Sequence, residues 1–200
     1  MSRNIGAVVL MAGLSRRMPA RNKLLLKIDG RSVAVQTVNN LRRAGFSTIL
    51  VVTGHEEDKI RAELKDSGVS FLHNENYLDG MGSAIAKAIQ ATEGWEGALI
   101  AMGDMPFVSV EILQKIRRRF LRYPESIVAP IFGQKRGQPV LFSARFFSEL
   151  AACSGEIGGR RIIQKHAASV QLVPVENETI FWDIDTLEDL RYSDKDPSHG

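Results

Sequence analysis

The chain has 200 residues, 44% apolar and 24% charged, and a net charge of +3 at pH 7. That length and balance suit a soluble globular protein with one domain over 1–192 and a flexible tail over 193–200. A single cysteine, Cys153, excludes an intramolecular disulfide and a Cys-rich zinc site.

Read in chain order, Ile5–Ala12 is apolar throughout, as a buried strand is. A cationic segment follows it. The first 31 residues hold seven Lys/Arg against one acid, Asp29, a local +6 that leaves −3 for the remainder. A polymer-binding protein spreads its charge along a face or a tail. Local concentration instead points to a small anionic ligand near the N-terminus, with neither nucleic acid nor membrane as partner. Ser32–Ala44 reads as a helix, with Ser32 as N-cap and Gly45 just past its end. "STILVVT" is a second strand and "EEDKIRAELKD" a second helix with acids in its first turn. Then come the strand "VSFLH", the loop "NENYLDGMG" and the helix "SAIAKAIQA". "GALIAMGD" is a fourth strand, and "SVEILQKIRRRFLR" a helix whose Ile112, Ile116 and Phe120 fall on one face, leaving its arginines to solvent. "SIVAPI" and "QPVLF" flank the turn "GQKRG" as a hairpin. Short helices near Arg145–Ala152 and Gly159–Ala167 lead to strands at Ser169–Val175 and Ile180–Trp182, and "TLEDLR" starts a last helix. Continuous apolar strands alternating with helices predict a Rossmann-like three-layer α/β fold, a mostly parallel sheet with a small antiparallel excursion.

No apolar run is long enough to span a bilayer, the N-terminus lacks a signal-peptide pattern, and a lone cysteine fits a reducing compartment; a cytoplasmic location is expected.

In an open parallel sheet, ligands bind outside the carboxyl ends of the strands. Three such ends here carry unusual residues: Ala12-Gly13, Thr53-Gly54-His55 and Gly103-Asp104. Gly13 frees the backbone to approach a ligand, and amides in such a turn form an anion-binding nest. Lys23 can reach back as a point charge, while Arg16, Arg17 and Arg21 offer planar forks for phosphate oxygens. The alternative is a solubilising loop. Neither the Walker spacing nor a complete dinucleotide fingerprint is present, since Ile85 fills the third glycine position of "GMGSAI". Asp104 ends an otherwise apolar strand, and "FWDIDTLEDL" repeats the arrangement with Asp183 and Asp185. Each could be a turn former or, at Asp185 and Thr186, a helix cap. Together, strand-end carboxylates opposite a cationic loop fit a magnesium–phosphate site. No two of the four histidines sit at metal-ligand spacing, and no nucleophile–base pair is legible.

"LMAGLSRRMPARNKLLL" resembles the signature loop of the MobA-like nucleotidyltransferases. The likeness continues in order through "VVTGH", "HNENYLDGMGSAIAKAI", "GDMPFV", "GQPVLF", "GEIGGRRII" and "WDIDTLEDL". Within that family it is most similar to the molybdenum cofactor cytidylyltransferases, because guanylyltransferase relatives usually carry Gly at the place of Ala12. The resemblance implies magnesium-dependent transfer of CMP from CTP to molybdenum-loaded molybdopterin. It implies Lys23, Arg17 and Asp104 as catalytic groups and Asp104 and Asp183 as magnesium ligands, with Asp185 open as the alternative to Asp183. Leu10, Ala12, Gly13, Lys23, Gly54, Gly82, Ser83 and Gly103 would hold the nucleotide. A molybdenum hydroxylase or its insertion chaperone is the implied protein partner. Two other readings stand beside it: a nucleotidyltransferase for a guanylyl or sugar-phosphate acceptor, and a non-catalytic carrier of the finished cofactor.

Overall fold

The computed structural model describes residues 3–13, 22–186 and 188–190. Arg16, Arg17 and Arg21, Leu187 and Arg191 of the predicted last helix and the tail expected over 193–200 lie outside them.

The first strand, β1 (Ile5–Met11), is buried along its whole length. Next come a two-strand ribbon, β2 (Lys27–Ile28) and β3 (Arg31–Ser32), and helix α1 (Val33–Arg43). The Ser32 hydroxyl caps α1 by accepting from the Val35 amide, and Gly45 follows at φ 95°, the left-handed conformation that ends helices. β4 (Ile49–Thr53), α2 (Glu57–Glu63), β5 (Ser70–His73), α3 (Met81–Gln90), β6 (Gly97–Met102) and α4 (Val110–Arg122) continue the alternation. Then follow β7 (Ile127–Phe132), β8 (Lys135–Arg136), β9 (Val140–Ser143), α5 (Phe147–Ala151), α6 (Arg160–Lys165) and β10 (Val170–Pro174).

Among the described residues the main sheet runs β10-β7-β9-β6-β1-β4-β5, with β8 on β7. β1 lies between β6 and β4, parallel to both; the antiparallel excursion is β9, between β6 and β7, with the short β8. Alternate residues of the central strands feed two cores. Ala7, Val9, Val51, Leu99 and Ala101 face one, closed by Leu41 of α1, Ile60 of α2 and Ile116 and Phe120 of α4. Val8, Leu10, Val52, Ala98 and Ile100 face the other, closed by Ile85 and Ala88 of α3, Leu150 of α5 and Ile163 of α6. Burial on both faces is why these strands read as continuous apolar runs.

One predicted element differs. Residues 180–182 do not form a strand; Glu178–Phe181 is a short 3-10 helix capped by the Asn177 side chain, which accepts from the Thr179 amide. Ile180 is buried and Phe181 partly buried against the core, so apolarity there marks burial rather than strand pairing.

Candidate active site

β1 and β6 are paired so that Leu10 lies beside Met102. The next residues, Ala12-Gly13 and Gly103-Asp104, therefore emerge side by side at the sheet's carboxyl edge. The Gly103 amide donates to the Leu10 carbonyl at 2.9 Å, and a side chain at 103 would meet the Met11 side chain at 2.5 Å. Only glycine allows the chain to cross β1 so closely. Helix α1 fixes the loop beyond. The Thr37 hydroxyl donates to the Gly103 carbonyl at 3.1 Å, and the Asn40 amide to the carbonyls of Pro106 (2.9 Å) and Val108 (3.2 Å). Both residues are buried, so their polar groups need these partners.

Lys23 opens a 3-10 turn, Lys23–Leu25, capped by the Asn22 side chain and anchored by buried Leu24. Its Nζ lies 2.6 Å from Asp104 Oδ2 and 2.9 Å from Asp185 Oδ1. Asp185 reaches this place because the Ile184 amide donates to the Asp104 carbonyl at 2.9 Å and Ile184 is fully buried. Asp104 is 7% exposed, and its second oxygen, Oδ1, is buried without a hydrogen-bond partner. Asp183 is exposed at the rim.

These groups line a cavity of about 450 Å³. Of the residues expected to form the site, Leu10, Ala12, Gly13, Lys23, Asp104 and Asp183 line it, together with Asp185. Gly54, Gly82, Ser83 and Gly103 are not among the residues that line it. A side chain at Gly54 would meet Tyr77 at 2.6 Å and Ala12 at 3.0 Å, so its absence lets the loops after β1 and β4 converge. The Gly82 amide donates to the Gly155 carbonyl at 2.8 Å, joining the start of α3 to the loop before α6. Ser83 Oγ accepts from the Asn74 side chain at 3.0 Å and lies within 2.8 Å of the Asn76 carbonyl. Arg17 falls outside the described residues. Sequence reasoning missed several lining residues, among them Tyr77, Leu78, Met81 and Glu156. Leu78, an apolar residue within the polar stretch "NENYLDGMG", was the available signal. Thr37 and Asn40 also left a trace, as polar residues on the buried stripe of an amphipathic helix.

The donor set can be tested against a metal ion. A buried carboxylate with an unpartnered oxygen, beside two further aspartates, offers the hard oxygen donors that magnesium prefers. Among the described residues no group of three or more His, Cys, Asp or Glu could hold a metal ion alone. An ion here would therefore be completed by phosphate oxygens and water, as magnesium usually is.

A Rossmann-like sheet with its cavity at the carboxyl ends of adjacent parallel strands defines the class of α/β proteins that bind nucleotides there. The chain belongs to the MobA-like NTP transferase domain family, whose pattern matches residues 7–170. The bifunctional protein GlmU of Geotalea daltonii is 36% identical over 122 residues, which are 60% of this chain and 26% of that protein. The chain thus spans about a quarter of the length of the curated relatives it matches. Rv0371c from Mycobacterium tuberculosis superposes with a TM-score of 0.84 at 25% identity, over 98% of this chain and all of that one. The same protein in complex with manganese gives 0.75 at 24%, covering 96% and 97% of the two chains. A nucleotidyl transferase from Methanothermobacter gives 0.80 at 23% identity, covering 97% and 98%.

Proposed function

We propose that this chain transfers a nucleotidyl group from a nucleoside triphosphate to a phosphate-bearing acceptor. The observation that carries this is the Lys23–Asp104–Asp185 cluster at the floor of the strand-end cavity. An acceptor phosphate oxygen attacks the α-phosphorus, the bond from that phosphorus to the bridging oxygen breaks, and pyrophosphate leaves. The nucleophile is already an anion, so no general base is needed. The protein's task is alignment and charge stabilisation. Lys23 faces the phosphates as a point charge, with Arg17 as a further cationic contact. The Ala12-Gly13 turn approaches the nucleotide through its backbone. Asp104, with Asp183 or Asp185, would hold a magnesium ion. Such an ion supplies charge neutralisation of the triphosphate oxygens.

The more specific reading is transfer of CMP from CTP to molybdenum-loaded molybdopterin, serving a molybdenum hydroxylase or its insertion chaperone in the cytoplasm. Its support is the motif resemblance, together with the Ala12 methyl group at the cavity wall, which would crowd a purine stacked there more than a pyrimidine. A second reading is another phosphate acceptor, of guanylyl or sugar-phosphate type, which the same Lys23–Asp104–Asp185 cluster would serve by the same chemistry. A non-catalytic carrier would have no need of Lys23 paired to a buried Asp104. The test is pyrophosphate release with each of the four triphosphates and magnesium, against molybdenum-loaded molybdopterin and against a panel of sugar phosphates. CTP with molybdopterin should lead. Turnover with a sugar phosphate alone would move the acceptor to the second reading, and no release with any pair would remove the enzymatic one.

A further inference from the structure

We infer that Lys23 is the resident counter-ion of the metal-binding carboxylates: without nucleotide its ammonium occupies Asp104 and Asp185 and keeps a divalent cation out, and it moves to the triphosphate when metal and nucleotide arrive together. This rests on the metal–phosphate reading of the site. The ammonium sits 2.6 Å from one carboxylate and 2.9 Å from the other. All three side chains are shielded, at 16% exposure for Lys23, 10% for Asp104 and 25% for Asp185. An ammonium and a divalent cation cannot share those oxygens at such distances without strong repulsion, which the partial shielding leaves water to screen only in part. The lysine also has somewhere to go. Its stem is flexible, and the cavity it lines is the one proposed for the phosphates. Asp104 Oδ1, buried and unpartnered, is an oxygen of the same carboxylate that the lysine leaves unused. Metal and nucleotide binding are then positively coupled, and by linkage each strengthens the other. The site stays closed to metal until a triphosphate is present to receive the lysine.

The test is equilibrium binding of Mn²⁺ to the full chain without nucleotide, followed by the electron paramagnetic resonance of the free ion. A fixed charge a few ångströms away changes cation affinity by about tenfold or more, as it does for a proton. Lys23→Met should therefore bind Mn²⁺ about tenfold or more tightly than wild type, and adding Asp104→Asn to it should abolish the gain. Lys23→Arg, which keeps the cation, should remain as weak as wild type. Mn²⁺ should raise the Tm of Lys23→Met but not that of wild type. Lys23→Gln carries the same comparison should Lys23→Met fail to fold. Equal Mn²⁺ affinity in wild type and the neutral variants would overturn the inference. Binding of Mn²⁺ with CTP separates the two failures. If Asp104→Asn weakens it, the metal site stands and only the lysine's role is lost; if Asp104→Asn leaves it unchanged, the metal site itself is wrong and the inference falls with it.

Discussion

Lys23 lies in what its neighbours in sequence present as a polar loop, a position where truncation usually changes stability by less than about 0.5 kcal/mol. Its surroundings give a different expectation. Its side chain is 16% exposed and bridges two aspartates, so Lys23→Ala takes a shared cation from two partly buried carboxylates. The loss should be about 1–3 kcal/mol, below the roughly 3–5 kcal/mol of a fully buried pair because water still reaches the site. Turnover should fall by about 10²–10³, the usual cost of removing one group aimed at developing charge. Denaturant unfolding and kcat measured on the same preparation check both parts; near-normal turnover would remove Lys23 from the chemistry. Lys23 and Asp104 are legible in the sequence because a cation just past one strand end and an acid at another are unusual. The Asp185 contact is not, since it spans 162 residues and is made by the way the chain returns to the Asp104 carbonyl.

At the level of elements, α1 shows how a helix can hold a site it does not touch. Asn40 satisfies the carbonyls of Pro106 and Val108, just beyond Asp104. Asn40→Ala leaves both without that donor, costing about 1–3 kcal/mol. It should also weaken metal-dependent nucleotide binding through the displaced loop, which isothermal titration of CTP with magnesium will measure. An affinity equal to wild type would separate the helix from the site. A second connection, between α5 and α6, is electrostatic. Glu149 contacts Lys165 at 2.8 Å and His166 at 2.7 Å. The Lys165 contact first, and His166 second, hold the Glu149 carboxyl below its ordinary value of 4.5. A carboxyl with a depressed folded-state value adds stability that is present above the ordinary value and lost as pH falls through the lower one. The Tm of wild type should thus fall more steeply than that of Glu149→Gln as the pH drops below 4.5, the two converging at the acid end. Parallel curves would show that the contact adds nothing. The helices and central strands were legible because their apolar periodicity survives in the packing: Ile112, Ile116 and Phe120 of α4 are all buried, with Arg118 and Arg122 outside. Residues 180–182 misled, since a short apolar run looks the same whether it pairs as a strand or packs as a turn.

For the whole molecule, alternation of strand and helix made the mostly parallel sheet readable, and the turn "GQKRG" marked the antiparallel excursion. Strand order was not readable, and the site depends on it. β1 must sit between β4 and β6 for Ala12-Gly13 and Gly103-Asp104 to emerge together, and the segment after β10 must fold back to bring Asp183 and Asp185 to the same edge. Those are long-range choices, decided by packing against both faces rather than by local pattern. No helix among the described residues is long and apolar enough to cross a membrane. The central claim is that this cavity moves a nucleotidyl group by charge stabilisation from Lys23 and from a metal ion that Asp104 would hold. The most direct measurement follows the α-phosphorus label of CTP in the presence of magnesium and molybdenum-loaded molybdopterin, with wild type and Asp104→Asn. Wild type should pass the label to the acceptor with one pyrophosphate released per transfer, and Asp104→Asn should do so about 10²–10³ times more slowly. Label that leaves none of the four triphosphates for molybdopterin or any sugar phosphate in the wild type, or transfer at the wild-type rate by Asp104→Asn, would contradict it.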